Sequence, residues 1–280
     1  MDKAGRSYWD HEYATLRLPP AWDGKNGRLS QYHEYALYQY IRDGFERHGL
    51  LSPGLSLIEA GCGRSTTLPM FSKVFGFQVA GIDYSADGCD QARRILDREQ
   101  VSGEVYCEDL FRPPDKLVER FDALVSFGLV EHFTDTSAVL CALAQFVKPG
   151  GVLFTNIPNI CGFIGSVQKL INRSVYDVHV PLTPSALCQA HKDAGCTVLE
   201  CGHFMSTNFG VLNMGCVPSG LTWWVKKVVV AALTRVSMGV WLFERVLGPA
   251  PASQLFSPYI HCLARKRQLS ASGHHNPCVL

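Results

Sequence analysis

Leu55-Ser56-Leu57-Ile58-Glu59-Ala60-Gly61-Cys62-Gly63 is a short apolar run that ends on two glycines. A run of this length reads as a buried strand, and the glycines mark the tight turn after it. Working outward, helical spacing from Leu68 to Phe75 leads to a second apolar run, Gln78-Val79-Ala80-Gly81-Ile82-Asp83. Strand, helix and strand make one βαβ unit, the building block of a parallel sheet.

The alternation continues to the end of the chain. Ser85 is placed to cap a helix reaching about Arg98, and Glu104 to Cys107 and Phe121 to Phe127 read as the third and fourth strands. A helix from Ala138 to Phe146, a turn at Lys148-Pro149-Gly150-Gly151 and a fifth strand at Val152 to Asn156 follow. Thr183-Pro184 opens a further helix that stops at Ala194-Gly195, before strands near Thr197 to Cys201 and at Tyr259 to Ala264.

Composition narrows the class. The 280 residues are 47% hydrophobic and 18% charged, the balance of a globular chain with a substantial core, and a formal net charge of +1 gives no reason to expect a nucleic-acid partner. The 11 cysteines include no CxxC pair and no zinc-like Cys/His spacing, so free thiols in a reducing cytoplasm are expected. The first residues carry no apolar signal stretch, and Cys278 stands third from the end, which does not satisfy the prenylation pattern.

In a parallel sheet the first βα loop approaches the ligand most closely. Gly61 and Gly63 permit that approach, and Asp83 at the tip of the second strand can accept hydrogen bonds from ribose hydroxyls. This much fits any nucleoside cofactor. The dinucleotide fingerprint wants a third glycine where Thr66 stands, which turns the reading away from a pyrophosphate and from NAD.

The motifs together resemble the class I S-adenosylmethionine (SAM)-dependent methyltransferases that act on small molecules. Leu57 to Gly63 is similar to that family's first motif, Gly81-Ile82-Asp83-Tyr84-Ser85 to its ribose turn, and Glu108-Asp109-Leu110 to its adenine turn. Phe127-Gly128-Leu129-Val130-Glu131-His132-Phe133 is similar to the fourth-strand motif, and Val147 to Gly151 to the turn before the fifth strand. The resemblance implies an α/β, Rossmann-like seven-stranded sheet with an antiparallel last strand. It also implies SAM as cofactor and S-adenosylhomocysteine as product. Glu59, Gly61, Cys62 and Gly63 would hold the amino-acid end, Asp83 and Tyr84 the ribose, Asp109 and Leu110 the adenine, and Phe127 and Gly128 the sulfonium side.

Methyl transfer is an in-line displacement, so an acceptor bearing a proton gains from a nearby base. His132, after the fourth strand and also readable as a loop-shaping residue, and His179, between the fifth strand and the next helix where this family builds its acceptor pocket, are the candidates. The methyltransferases of ubiquinone biosynthesis carry a Glu-x-x-Glu-His pattern associated with a metal. Gly128 replaces its first carboxylate here, so no metal is expected. Tyr8, Trp9, Tyr13, Arg28 and His33 in a cap, with Asn156 and Asn159 after the fifth strand, are candidate acceptor contacts.

These readings divide the chain into an N-terminal helical cap (1–50), a SAM-binding core (51–204), a helical insertion (205–258), the last core strand (259–267) and a disordered tail (268–280). The insertion centres on a helix from Thr222 to Leu247 whose apolar stripe runs through Val225, Val228, Val229, Ala232, Val236, Val240, Phe243 and Leu247. Trp223, Val230 and Trp241 lie off that stripe, leaving a lid, a membrane or lipid contact and a homodimer face as alternatives. The functional expectation is a cytoplasmic enzyme that methylates a small or lipid-like acceptor, foremost on oxygen, with nitrogen and sulfur open. Its rivals are an NAD-dependent oxidoreductase and a non-catalytic SAM-binding or membrane-associated module.

Overall fold

The structure is a computed structural model, described over residues 1–15, 18–21, 28–215 and 220–268. Seven strands form one sheet in the order β3-β2-β1-β4-β5-β7-β6. These are β1 (Ser56–Ala60), β2 (Gln78–Asp83), β3 (Gly103–Cys107), β4 (Phe121–Phe127), β5 (Val147–Pro158), β6 (Cys196–Phe204) and β7 (Tyr259–Lys266). β7 enters between β5 and β6 and runs antiparallel to both, so six strands are parallel and the last is reversed.

The order reverses between β1 and β4, and the crevice at their carboxyl ends is where such sheets bind ligands. Side chains alternate along each central strand between two cores. Ile58, Leu124 and Leu153 enter the core under α5 (Thr136–Gln145) and α8 (Pro184–Asp193). Leu57, Val125 and Phe154 enter the other, with α2 (Tyr32–Arg47), α3 (Leu68–Phe75) and α4 (Ala86–Arg98).

The local signals act as expected. The Ser85 hydroxyl accepts from the Gly88 amide at 3.2 Å, and Thr183 caps α8 from Ala186 at the same distance. β5 begins five residues earlier than the turn chemistry indicated, because Val147 pairs with Phe121 and the Lys-Pro-Gly-Gly segment is taken up as a register shift opposite Asp122, to which Lys148 donates at 2.7 Å. The nine cysteines among the described residues are free thiols. The tail, past Gln268, lies outside those residues.

The N-terminal segment divides in two. α1 (Arg6–Thr15) lies over the ligand crevice against α4, whereas α2 sends Ile41 and Phe45 into the sheet core and is tied to β6 by Arg47, which donates to Glu200 at 2.8 Å. α2 is therefore part of the core and not of a cap. Two further helices, α6 (Phe163–Ile171) and α7 (Arg173–Asp177), fill the stretch between β5 and α8. The insertion helix α9 (Leu221–Leu247) packs through Trp241 against Tyr32 and Phe204.

Gly81 shows how closely β2 and the glycine loop meet: a Cβ there would lie 2.5 Å from the Cys62 sulfur. Gly81→Ala is expected to destabilise the fold by about 1–3 kcal/mol through overpacking, and Cys62→Gly on top of it to recover part of the loss. Urea unfolding of the two single variants and the double variant measures this coupling.

Candidate active site

A cavity of about 590 Å³ opens at the carboxyl ends of β1, β2 and β4. Gly61, Gly63 and Arg64 form one wall, Asp83 and Tyr84 the floor, Glu108 to Phe111 one end, and Phe127, Gly128, Leu129 and Phe133 the other. Gly61 stands at φ +75°, a left-handed conformation that any Cβ would strain, and so the chain turns there without a side chain in the crevice. Asp83 ties the pieces together. Its carboxylate accepts from the Gly63 amide at 2.9 Å and from the Ser85 amide at 2.8 Å, while its backbone carbonyl receives the Glu108 amide at 3.0 Å. Burial pushes its pKa up, and the backbone amides counter that by stabilising the charged form.

α1 closes the cavity. Trp9 and Tyr13 line it, stacked at 5.9 Å, and the Tyr13 ring sits on Gly63 so closely that a Cβ there would overlap the phenol oxygen. The helix is pinned by Ser85 donating to Asp10 and Tyr84 donating to Asp2. Burial beside Asp83 raises the Tyr13 phenol far above its ordinary value, so it stays protonated.

Behind Trp9 lies a second cluster. The His132 ring packs edge-on against Trp9 at 5.1 Å and lies 4.6 Å from His179. His132 Nδ1 donates to the Val178 carbonyl at 3.1 Å and His179 Nδ1 to the Val175 carbonyl at 2.6 Å. A carbonyl can only accept, so both rings are fixed with Nε2 as the basic nitrogen. Burial pushes the His132 pKa down to about 4, and lowers that of His179. Glu131 is 1% exposed, neither carboxylate oxygen has a protein hydrogen-bond partner, and burial raises its pKa to about 8. At neutral pH the cluster is thus uncharged. Glu131, His132 and His179 each offer a ligand atom within 4.8 Å of the others, a set that could hold a divalent cation.

A family model described as a methyltransferase domain matches residues 32–201. The chain belongs to the SAM-dependent methyltransferases. The ubiquinone biosynthesis O-methyltransferase of Bradyrhizobium sp. is 30% identical over 153 residues, which cover 51% of this chain and 59% of that protein. Its namesake from Nitrobacter winogradskyi is 25% identical over 214 residues, covering 69% of this chain and 80% of that protein. The first of these alignments thus spans little more than half of its relative. Among solved structures, the cyclase SpnF superposes with a TM-score of 0.60 at 14% identity, covering 96% of this chain and 97% of its own. A phosphoethanolamine N-methyltransferase of Haemonchus contortus, in complex with SAM, gives 0.53 at 16% identity, covering 82% of this chain and 53% of its own. At such identities the likeness is one of fold.

Within this member of the family, Gly61, Gly63, Asp83, Tyr84, Asp109, Leu110, Phe127 and Gly128 all line the cavity, as do Trp9 and Tyr13. Glu59 and Cys62 do not. The Glu59 carboxylate accepts from Ser65 at 2.5 Å and from Thr67 at 2.6 Å, and so fastens the loop from behind. Cys62 is fully buried and turned into the sheet against Gly81. The alternation of β1 ends at Ala60: the left-handed turn at Gly61 re-aims the chain, leaving Glu59 bonded to the hydroxyls of Ser65 and Thr67 and Cys62 packed on β2.

The acceptor candidates also divide. Asn159 donates to the Gln254 and Ser257 carbonyls at 2.9 Å and anchors the chain after α9, while Asn156 is buried within β5. His33 stacks on Trp241 in a separate pocket, Arg28 precedes the short 3-10 turn before α2, and Tyr8 packs edge-on against Trp9. None of these five lines the cavity, and neither do His132, which packs on the lining residue Trp9, and His179 beside it. Arg64, at φ +58° beside Gly63, was not singled out from sequence although it adjoins the loop. From sequence, Glu131 stands only as the second carboxylate of the Glu-x-x-Glu-His pattern that Gly128 interrupts, and its carboxyl meets a second imidazole only through the returning segment that carries His179.

Burial raises the Glu59 pKa to about 7, so its proton is held more tightly in the folded chain than in the unfolded one. That contribution to stability is full at low pH and is lost as pH rises through about 7. Glu59→Gln removes the titration. The melting temperature of the variant relative to wild type is expected to rise between about pH 5 and about pH 8, and thermal melts across that range test it.

Proposed function

We propose that this methyltransferase moves the methyl group of SAM to a hydroxyl oxygen of a small or lipid-like acceptor, and that it works in the cytoplasm. The observation that carries this reading is a nucleoside-sized cavity whose far end adjoins a buried, neutral imidazole pair. Asp83 would accept the ribose hydroxyls, Asp109, Leu110 and Phe111 would frame the adenine, and Arg64 would face the carboxylate. Trp9 and Phe127 would border the sulfonium, whose positive charge suits aromatic faces. The names of the ubiquinone biosynthesis relatives support oxygen as the acceptor atom.

In the transfer, a lone pair of the acceptor oxygen attacks the methyl carbon opposite the sulfur. The O–C bond forms as the S–C pair returns to sulfur, giving S-adenosylhomocysteine. The hydroxyl proton passes to Nε2 of His132, whose Nδ1–H stays on the Val178 carbonyl. Glu131, with a carboxyl oxygen 4.0 Å from Nε2, stays protonated and borders the imidazolium without exchanging a proton in the step. Trp9 stands between cavity and imidazole, so α1 must shift for the acceptor to reach the base.

His132→Gln is expected to lower kcat about 10²–10⁴-fold with SAM affinity unchanged. Asp83→Asn is expected to weaken SAM binding by about 1.5–3 kcal/mol, the range for a hydrogen bond to a charged group. Calorimetry with SAM and NAD, together with transfer of labelled methyl to a metabolite extract, measures both. NAD binding without SAM binding would leave the oxidoreductase, and SAM binding without any transfer the non-catalytic module.

A second reading rests on the unpartnered Glu131 carboxylate. Glu131, His132 and His179 would hold a divalent cation, which when bound would orient the acceptor oxygen and favour its deprotonated form. Metal analysis of the purified protein separates the two. Full activity after EDTA dialysis, with no metal retained, leaves His132 as the base, whereas loss restored by one cation supports the metal.

A further inference from the structure

The insertion helix is turned the opposite way from an ordinary amphipathic helix. Its most continuous apolar stripe, Leu221, Trp224, Val228, Val236, Phe243 and Leu247, faces solvent, with Val228 64%, Phe243 69% and Leu247 81% exposed. The inward face is the mixed one: Ser237 donates no apolar surface but holds the Phe209 amide, Trp241 bonds the Thr207 carbonyl through its indole, and Glu244 is buried against the Ala250 amide. Ser237, Glu244 and the Trp241 indole are thus bonded inside beside Val230, Leu233 and Met238, while the apolar stripe is left outside. At 27 residues the stripe extends about 40 Å, far beyond the scattered apolar exposure of ordinary surfaces.

We infer that this face of α9 lies flat on an anionic lipid bilayer. Charge selects that occupant. The exposed charged side chains of α9 are Lys227 and Arg235, both cationic, and the one carboxylate of segment 205–258, Glu244, is the buried one. Lys227 rests over the Trp223 and Trp224 rings at 4.7 and 5.3 Å, a cation and two indoles together at one end of the helix. Indoles settle at the headgroup level and lysines snorkel to phosphate, while the aliphatic stripe enters the acyl boundary.

The same charges disfavour the rival occupants. An antiparallel two-fold pairing of α9 with a second copy would bring Arg235, next to the middle of the helix, against its own counterpart with no carboxylate to answer it. A spanning arrangement is disfavoured too, since no helix among the described residues is long and apolar enough to cross a membrane. Binding to the bilayer is independent of the methyl-transfer reading, because α9 contributes no side chain to the cavity.

Flotation of the full-length protein with phosphatidylcholine vesicles, with and without phosphatidylglycerol, tests the inference. The expected result is recovery with the anionic vesicles, weakened by salt. Trp224→Ser with Phe243→Ser is expected to reduce the partition about tenfold or more, and Lys227→Gln with Arg235→Gln to abolish the preference for anionic lipid. SAM binding by calorimetry should be unchanged in both, which shows that the variants fold. Absence of flotation, flotation indifferent to both variants, or a concentration-dependent dimer in sedimentation that the serine variant dissolves would each overturn it.

Discussion

The site is organised around one buried carboxylate. Asp83 closes β2 and accepts from the Gly63 and Ser85 amides, so a single side chain fixes the glycine loop of β1, the start of α4 and the floor of the cavity relative to each other. Burial pushes its pKa up, and the directed amides oppose that by favouring the charged form, which can still accept two hydroxyls, so the same hydrogen bonds serve the loop and the cavity floor.

Around Asp83 the left-handed turn at Gly61, just past the end of β1, divides the residues of the loop. Gly61 and Gly63 face the crevice and yield space, while Glu59 and Cys62 face away and hold it open from behind. Tyr13 then occupies the yielded space from above, and α1 is held over the cavity by Ser85 donating to Asp10 and Gln91 donating to the Tyr13 carbonyl, with Tyr84 donating to Asp2 just before the helix.

The cluster behind Trp9 follows a different logic. The Val180 amide donates to the Glu131 carbonyl at 2.6 Å, the Lys3 amide to the His132 carbonyl and the Lys3 ammonium to the His179 carbonyl, both at 2.8 Å, so three separate segments are stitched together at their carbonyls. The side chains inside are left with basic nitrogens and a bare carboxyl. Such unspent polarity in a buried place is costly, and chemistry at the adjoining cavity gives it a use.

Much of this was legible in the sequence because it is set locally. β2 and β4 run where their apolar patterns place them, Ser85 and Thr183 cap by a hydroxyl three residues from the amide it serves, and Gly61 and Asp83 owe their roles to their position at strand ends. What the sequence could not determine depends on residues far apart meeting. The His132–His179 pair requires the return of the chain after β5, the seat of Tyr13 on Gly63 requires α1 to cross the crevice, and Glu59 is known to face away only once the sheet is formed. The apolar stripe of α9 was visible, but not that it points outward. Periodicity reveals that a helix has two faces, and only the surrounding packing decides which of them is buried.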